Sequence, residues 1–223
     1  MAWRPVYLPW RDRVGVEIKA VSFPWFAGLS LAQKQKSIAA LHKAAAEQGL
    51  PKLLEVSTKS PQPLGVAYSG FSLSLPQEGG AVPVECAFQG SKIFAQGGSY
   101  TDIYHADPVA AKRDARLQNS GALLGYRWGG EDFPLNPPGA FYDWLYIRAA
   151  AQNSAPSREL LHFSGFTDLE INIKKRAACQ AFSAALYVSL VENNCLQQAM
   201  ADKTAFLQLG KPAYEAKAAV KYA

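Results

Sequence analysis

The sequence predicts an α+β fold, mainly α-helical, forming a single domain with a small strand region. Helix-start signals recur along it, Ser30 with Gln33 and Asp107 with Pro108. Alternating runs such as Val14–Val21 stay short, as strands do. The segment Ala177–Asn193 is apolar on nearly every face, as a central buried helix would be. With 223 residues, 49% hydrophobic and 18% charged, the chain can bury one sizeable core. It contains no internal repeat, no glycine-rich dinucleotide fingerprint and no P-loop.

Each element follows from local signals. The first 28 residues alternate aromatics, prolines and valines, which suggests short strands. Ser30 caps a helix that runs to about Gln48, where Gly49 stops it. Leu31, Ile38, Leu41 and Ala45 form its apolar stripe, with Lys34, Lys36 and Lys43 towards solvent. Leu53–Ser57 reads as a strand running into the polar loop Thr58–Pro63. Val66–Leu75 alternates as a further strand, and Glu78–Gly80 is a turn. Pro83–Phe94 reads as a helix with proline at its entry.

Asp107 and Pro108 open a helix over Val109–Leu117. Gly125–Pro138, rich in glycine, proline and aromatics, reads as a loop anchored by Trp128. Phe141–Ala151 is helical, offering Phe141, Trp144, Leu145 and Ile147 to the core. Ser157 caps a short helix holding Leu160 and Leu161. Residues 1–210 form the domain, with residues 1–50 an N-terminal extension packed on it. The Lys/Ala-rich residues 211–223 read as a tail that frays.

Composition narrows the function. A net charge of +5 suits an anionic ligand without by itself indicating nucleic acid. Cys86, Cys179 and Cys195 are an odd set without C-x-x-C spacing, which points to a reduced, cytoplasmic compartment. His42, His105 and His162 lack ligand spacing to a cysteine, so no metal site is expected. Neither a Ser-His-Asp nor a Cys-His arrangement can be argued from them. No secretory h-region follows Met1, and no uncharged apolar run approaches the ~20 residues that span a bilayer.

The Pro83–Phe94 segment carries the main candidates. Helical spacing puts Glu85, Phe88, Gln89 and Lys92 on one face, while Cys86, Gly90 and Ile93 pack elsewhere. A carboxylate, aromatic, amide and ammonium on one stripe suit a site wall; equally, they suit a solvated helix face. Glu85 in the first turn fits a general base facing a sugar, or simply the helix dipole. Lys59, flanked by Ser57, Thr58 and Ser60, resembles a phosphate-friendly loop. Lys112, Arg113 and Arg116 form a basic face that either meets an anion or faces solvent. If Phe166–Asn172 is extended, Asp168, Glu170 and Asn172 share one face, either in a site or on a wet edge strand. Lys174, Lys175 and Arg176 follow them.

Taken in order, these segments resemble the NADAR family, named for its association with NAD and ADP-ribose. The matching features are the strand motif Tyr68-Ser69-Gly70-Phe71 and the helix pattern Glu85, Gln89, Lys92, Phe94. The basic segment Ala111–Arg116 and the stretch from Leu160-Leu161 to Glu170 follow in the same order. The flanks are similar to NADAR antitoxins encoded beside DarT-type DNA ADP-ribosyltransferase toxins. That similarity lies in Phe26–Ser30, Gln33–Ile38, Leu54–Ser60, Phe141–Tyr146 and Cys179–Ala181. The family's common Trp-Gly-x-Gly loop is replaced by Ile171–Lys175, and its usual Asn after Ser by Gly70.

The resemblance implies a NADAR/YbiA-like domain. It implies a hydrolase that removes ADP-ribose from guanine in DNA by breaking an N-glycosidic bond, and so repairs the toxin's lesion. It implies Glu85 as the carboxylate at the developing ribose cation, with Asp168 or Glu170 as the second. Lys59, Lys92 and Arg116 would meet the pyrophosphate, Gln89 the ribose, and Phe71 and Phe88 a base. Asn172 would complete the ligand set, and no cofactor is required. Alternatives are a glycosidase of a small phosphorylated metabolite, of the riboflavin-intermediate type, a non-catalytic ADP-ribose-binding module, and a protein that neutralises the toxin by contact.

Overall fold

The computed structural model describes residues 1–152, 154–171 and 177–220. The chain is α+β, as expected. It opens with strands β1 (Ala2–Pro9) and β2 (Val16–Phe23), then helix α1 (Leu31–Glu47) and strand β3 (Leu53–Glu55). Helix α2 (Pro63–Ala67) and the hairpin β4 (Ser74–Gln77) and β5 (Gly80–Pro83) follow. Then come α3 (Val84–Gly90), β6 (Lys92–Phe94), β7 (Gly97–Gly98), α4 (Pro108–Arg113) and α5 (Arg116–Asn119). Strands β8 (Leu123–Trp128) and β9 (Glu131–Phe133) precede α6 (Ala140–Gln152) and α7 (Ser154–Glu159). Strand β10 (Gly165–Thr167) and helices α8 (Gln180–Glu192), α9 (Leu196–Ala201) and α10 (Lys203–Ala219) complete the order.

The main sheet has the order β2-β1-β10-β3. Strand β10 lies antiparallel to β1 and parallel to β3, with Thr167 opposite Glu55. Alternation sends successive side chains to opposite faces. Val6, Leu53 and Leu169 face α1 with Ile38 and Leu41, while Tyr7, Leu54 and Phe166 join the larger core around Phe182 of α8. A second antiparallel sheet, β7-β6-β8-β9, packs its Tyr126 ring on Phe141 of α6 at a centroid distance of 4.5 Å.

Several elements differ from the sequence reading. Val66–Leu75 is not a continuous strand: Pro63 starts α2, and Ser72 and Leu73 N–H groups fold back onto the Ser69 carbonyl before β4 begins. The tight approach of Gly65 to β3, where a Cβ would strike the Glu55 carbonyl, favours that compact turn. The helix read over Pro83–Phe94 stops at Gly90, which packs bare against Tyr104, and Lys92 pairs with Tyr126 as a strand.

The helix expected over Val109–Leu117 breaks at Asp114, whose carboxylate takes the Arg116 N–H. The expected loop Gly125–Pro138 contains the hairpin β8–β9, turned by Gly129 and Gly130 at φ of 60° and 83°. Ser157 lies inside α7, its hydroxyl bonded to Tyr68, and does not cap it. Leu31 is exposed rather than part of the apolar stripe of α1. Of the expected tail, Lys211–Ala219 is the second half of α10, with Ala213 and Tyr214 buried against α6 and α8.

Candidate active site

Glu85 sits in the first turn of α3, and its N–H donates to the Gly70 carbonyl at 2.8 Å. Its side chain is buried, so the solvated-face reading does not hold. One turn on, Gln89 Nε2 donates to Glu85 Oε1 at 2.8 Å, and Lys92 Nζ donates to Gln89 Oε1 at 2.6 Å. Although α3 ends before Lys92, the three side chains still form one hydrogen-bonded row. Lys112 Nζ approaches Glu85 Oε1 at 3.9 Å and lies 5.0 Å from the centre of the Phe71 ring. At 30% side-chain exposure, Lys112 connects this buried row to solvent.

Asp168 enters from the end of β10 and is also buried. Its Oδ1 accepts the Glu170 N–H at 3.1 Å, and Gln180 of α8 hydrogen-bonds it. Gln180 Oε1 accepts the Gly70 N–H at 2.7 Å, so its amide NH₂ is turned to Asp168. The Gly70 peptide thus joins the two carboxyls: its N–H faces the Gln180 that holds Asp168, and its carbonyl holds the Glu85 backbone. A Cβ at position 70 would collide with Tyr142 Oη. Tyr142 feels both Glu85 and Asp168, and burial first, then these charges, pushes its phenol well above its ordinary value. Burial likewise pushes the Asp168 carboxyl up to about 8, helped by Glu55 and opposed by hydrogen bonds and by Lys112. The acid form of Asp168 is thereby favoured, facing a row that carries the Glu85 carboxyl.

The remaining expected residues fall at varied places. Phe71 is half-buried beneath Lys112. Phe88 is wedged among Tyr126, Phe141 and Tyr142, with Lys92 Nζ 4.8 Å above its ring. Lys59 lies half-buried in the turn after β3, its N–H held by Ser57 Oγ at 3.2 Å. Glu170 does not share a face with Asp168: it reaches solvent and pairs with Lys34 at 2.9 Å. Arg116 is gripped by Asp102 and Asp114 and stacks on Tyr100, so its charge is already matched. Asn172 and the Lys174–Arg176 run lie outside the described residues. A cavity of about 270 Å³ beside Glu78, Tyr104, His105 and Arg127 contains none of these carboxyls.

Glu55, Gly70, Tyr142 and Gln180 were not among the expected site residues, and Lys112 was expected only as part of a basic face. A charge inside the apolar run Leu53-Leu54-Glu55-Val56 was the available signal for Glu55. Nothing local marks Gln180 or Tyr142, because their roles arise where α6 and α8 meet the Gly70 turn.

The sequence of this α+β domain places it among the NADAR domains. Over residues 2–220 the chain matches the NADAR-DarT1 family, described as the DarT1-associated NADAR antitoxin, and it belongs to that family. No curated protein sequence matches it. The family's description pairs the protein with a DarT toxin. Among the described residues, no helix is long and apolar enough to cross a membrane.

Proposed function

We propose that this antitoxin hydrolyses the N-glycosidic bond joining ADP-ribose to a guanine base in DNA, acting in the cytoplasm on the lesion left by its toxin. The observation that carries the reading is the pair of buried carboxyls beside Tyr142: Glu85 next to an ammonium, and Asp168 in a setting that favours its acid form. Two carboxyl groups in unlike environments suit acid and base roles at one site. Breaking the bond builds positive charge on the ribose ring. Glu85 stabilises that charge and takes a proton from the attacking water. Asp168 gives its proton to the departing base nitrogen. The C–N bond breaks and a C–O bond forms, releasing ADP-ribose and unmodified guanine. Lys112, Lys92 and Lys59 supply cations for the pyrophosphate. Phe71 offers a ring face to a base, and Phe88 backs the wall.

The test is release of free ADP-ribose from guanine-ADP-ribosylated DNA by the wild type and Glu85→Gln. Release by the wild type, reduced on the order of a hundredfold in the variant, is expected. Binding of ADP-ribose without release by either protein would replace this reading with a binding module. Cleavage of a phosphorylated riboflavin intermediate but not of modified DNA would replace it with a metabolite glycosidase. Protection from the toxin that survives Glu85→Gln in a stable toxin complex would indicate neutralisation by contact.

A further inference from the structure

Glu55 is fully buried at the end of β3, on the α1 face of the main sheet, and makes none of the contacts of the Glu85 row. Its carboxylate takes a convergent set of donors. Ser57 Oγ and the Leu169 N–H each donate to Oε1 at 2.8 Å, and Thr167 Oγ1 donates to Oε2 at 2.6 Å. Thr167 and Leu169 are the residues on either side of Asp168. The Val56 N–H adds a backbone bond to the Thr167 carbonyl at 2.8 Å. Glu55 therefore holds the turn that carries Asp168 from both flanks, while alternation sends the Asp168 side chain to the opposite face, towards Gln180.

His42 of α1 closes the network from behind, with Nε2 2.9 Å from Thr167 Oγ1. The one Thr167 hydroxyl proton is spent on Glu55, so His42 donates and carries its proton on Nε2. Burial pushes this imidazole down to about 4, so it is neutral under working conditions. Burial pushes the Glu55 carboxyl up, with Glu170 adding to it, while the bonds from Thr167, Leu169 and Ser57 pull it back down. Asp168 receives fewer: the Glu170 N–H and the Gln180 amide.

We propose that Glu55 is a positioning residue: its buried carboxyl locks the Thr167–Leu169 turn from both flanks and, holding more donors than Asp168, ionises first and leaves Asp168 its proton. The consequence for catalysis rests on the reading of Asp168 as the acid of the hydrolysis; the linkage between the two carboxyls does not. The other charged or titratable groups around Asp168 are Lys112 from α4, Tyr142 and Tyr146 from α6, Cys179 ahead of α8, Arg4 from β1, and Glu170 next to it. Of the negative charges here, Glu170 is paired with Lys34 and open to solvent, and Glu85 across Tyr142 is met by Lys112, which leaves Glu55 as the effective one.

The experiment is a pH titration of the full-length protein followed by carbon-13 NMR of Asp and Glu carboxyl groups. Asp168→Asn and Glu55→Gln assign the two resonances by difference. In the wild type, Glu55 is expected to ionise at lower pH than Asp168, and Asp168 to remain protonated at neutrality. In Glu55→Gln the Asp168 midpoint falls by about one unit or more, the size expected for losing one nearby buried charge. The high-pH limb of kcat for ADP-ribose release moves down with it, while KM stays. An Asp168 midpoint unmoved in folded Glu55→Gln overturns the proposal. So does the reverse order of ionisation in the wild type, which needs no folded Glu55 variant. The expected carboxyl titrations without any ADP-ribose release would uphold the linkage and overturn the substrate reading instead.

Discussion

Helices α6 and α8 each present buried polar groups on two sides, and the two clusters are built on opposite logic. On one side Tyr142 and Gln180 face Glu85 and Asp168. On the other, Asp143 takes the Ser183 hydroxyl at 2.6 Å and faces Tyr214 and Lys217 of α10. Asp143 is as deeply buried as Asp168, and burial raises both. The Asp143 carboxyl reaches only about 6, because Lys217, Ser183 and Tyr214 oppose the rise. Asp168 reaches about 8, because Glu55 adds to it. The anion of the first is favoured by a lysine of the last helix, and the acid form of the second by its carboxyl neighbour. The sign of the partner, more than burial, separates a tether from a chemical group.

The largest expected effects test that separation. Asp168→Asn keeps the shape and removes the proton donor, so ADP-ribose release should fall on the order of a hundredfold or more. Its effect on stability carries a definite sign. The folded-state value of Asp168 lies above the unfolded one, so its contribution is present below about pH 4 and lost as pH rises through about 8. Wild-type melting temperature should therefore fall steadily from about pH 4 to about pH 8 and level off above it, a slope that Asp168→Asn lacks. Lys217→Met should do the reverse, sparing turnover and harming the fold. It removes the cation that opposes the burial of Asp143 and so lowers stability at pH 7. That deficit should shrink towards pH 4, where Asp143 is neutral. Denaturant melts at both pH values, read beside turnover, check it. Lost turnover with unchanged stability in Lys217→Met would break the comparison.

The contrast also shows what the sequence could disclose. Glu85, Gln89 and Lys92 were legible because their contacts lie within one turn and a half of chain. The capped start of α1 and the buried α8 were legible for the same local reason. Glycine- and aromatic-rich Gly125–Pro138 concealed a hairpin, because its strands depend on β6 for a partner. Asp168 and Glu170 share a period-two face only while the chain is extended, and β10 stops at Thr167. The Asp143 cluster was illegible altogether: Asp143 and Lys217 stand far apart in sequence, and the lysine lies in a segment whose composition suggested fraying.

A smaller effect should follow from the glycine that joins the carboxyls. Gly70→Ala places a methyl against Tyr142 Oη and presses on both the Gln180 and Glu85 backbone bonds. Overpacking of this kind costs about 1–3 kcal/mol. Turnover should fall by roughly tenfold, since the site geometry and not its chemistry is disturbed. Tyr142→Phe in the same chain removes the obstructing oxygen and should restore part of both losses. A double-mutant cycle with no coupling would show that the Gly70 turn does not depend on Tyr142.

The smallest effects separate two cations only four positions apart. Lys112 looks into the site over Phe71 and meets a buried carboxylate. Arg116 faces the exposed Asp102, the half-buried Asp114 and a tyrosine ring, a self-contained clamp across the break after α4. An incoming phosphate must compete with Asp102 and Asp114 for Arg116, whereas Lys112 has one more distant partner at 3.9 Å. Lys112→Ala should therefore weaken ADP-ribose binding several-fold, with a shallower dependence on salt. Arg116→Ala should change the affinity by less than about twofold, because exposed pairs contribute little and its donors are already taken. Calorimetric titrations at low and moderate salt distinguish them. Equal losses in the two variants would mean that the Arg116 clamp opens to admit ligand, and the basic stretch would then act as one surface.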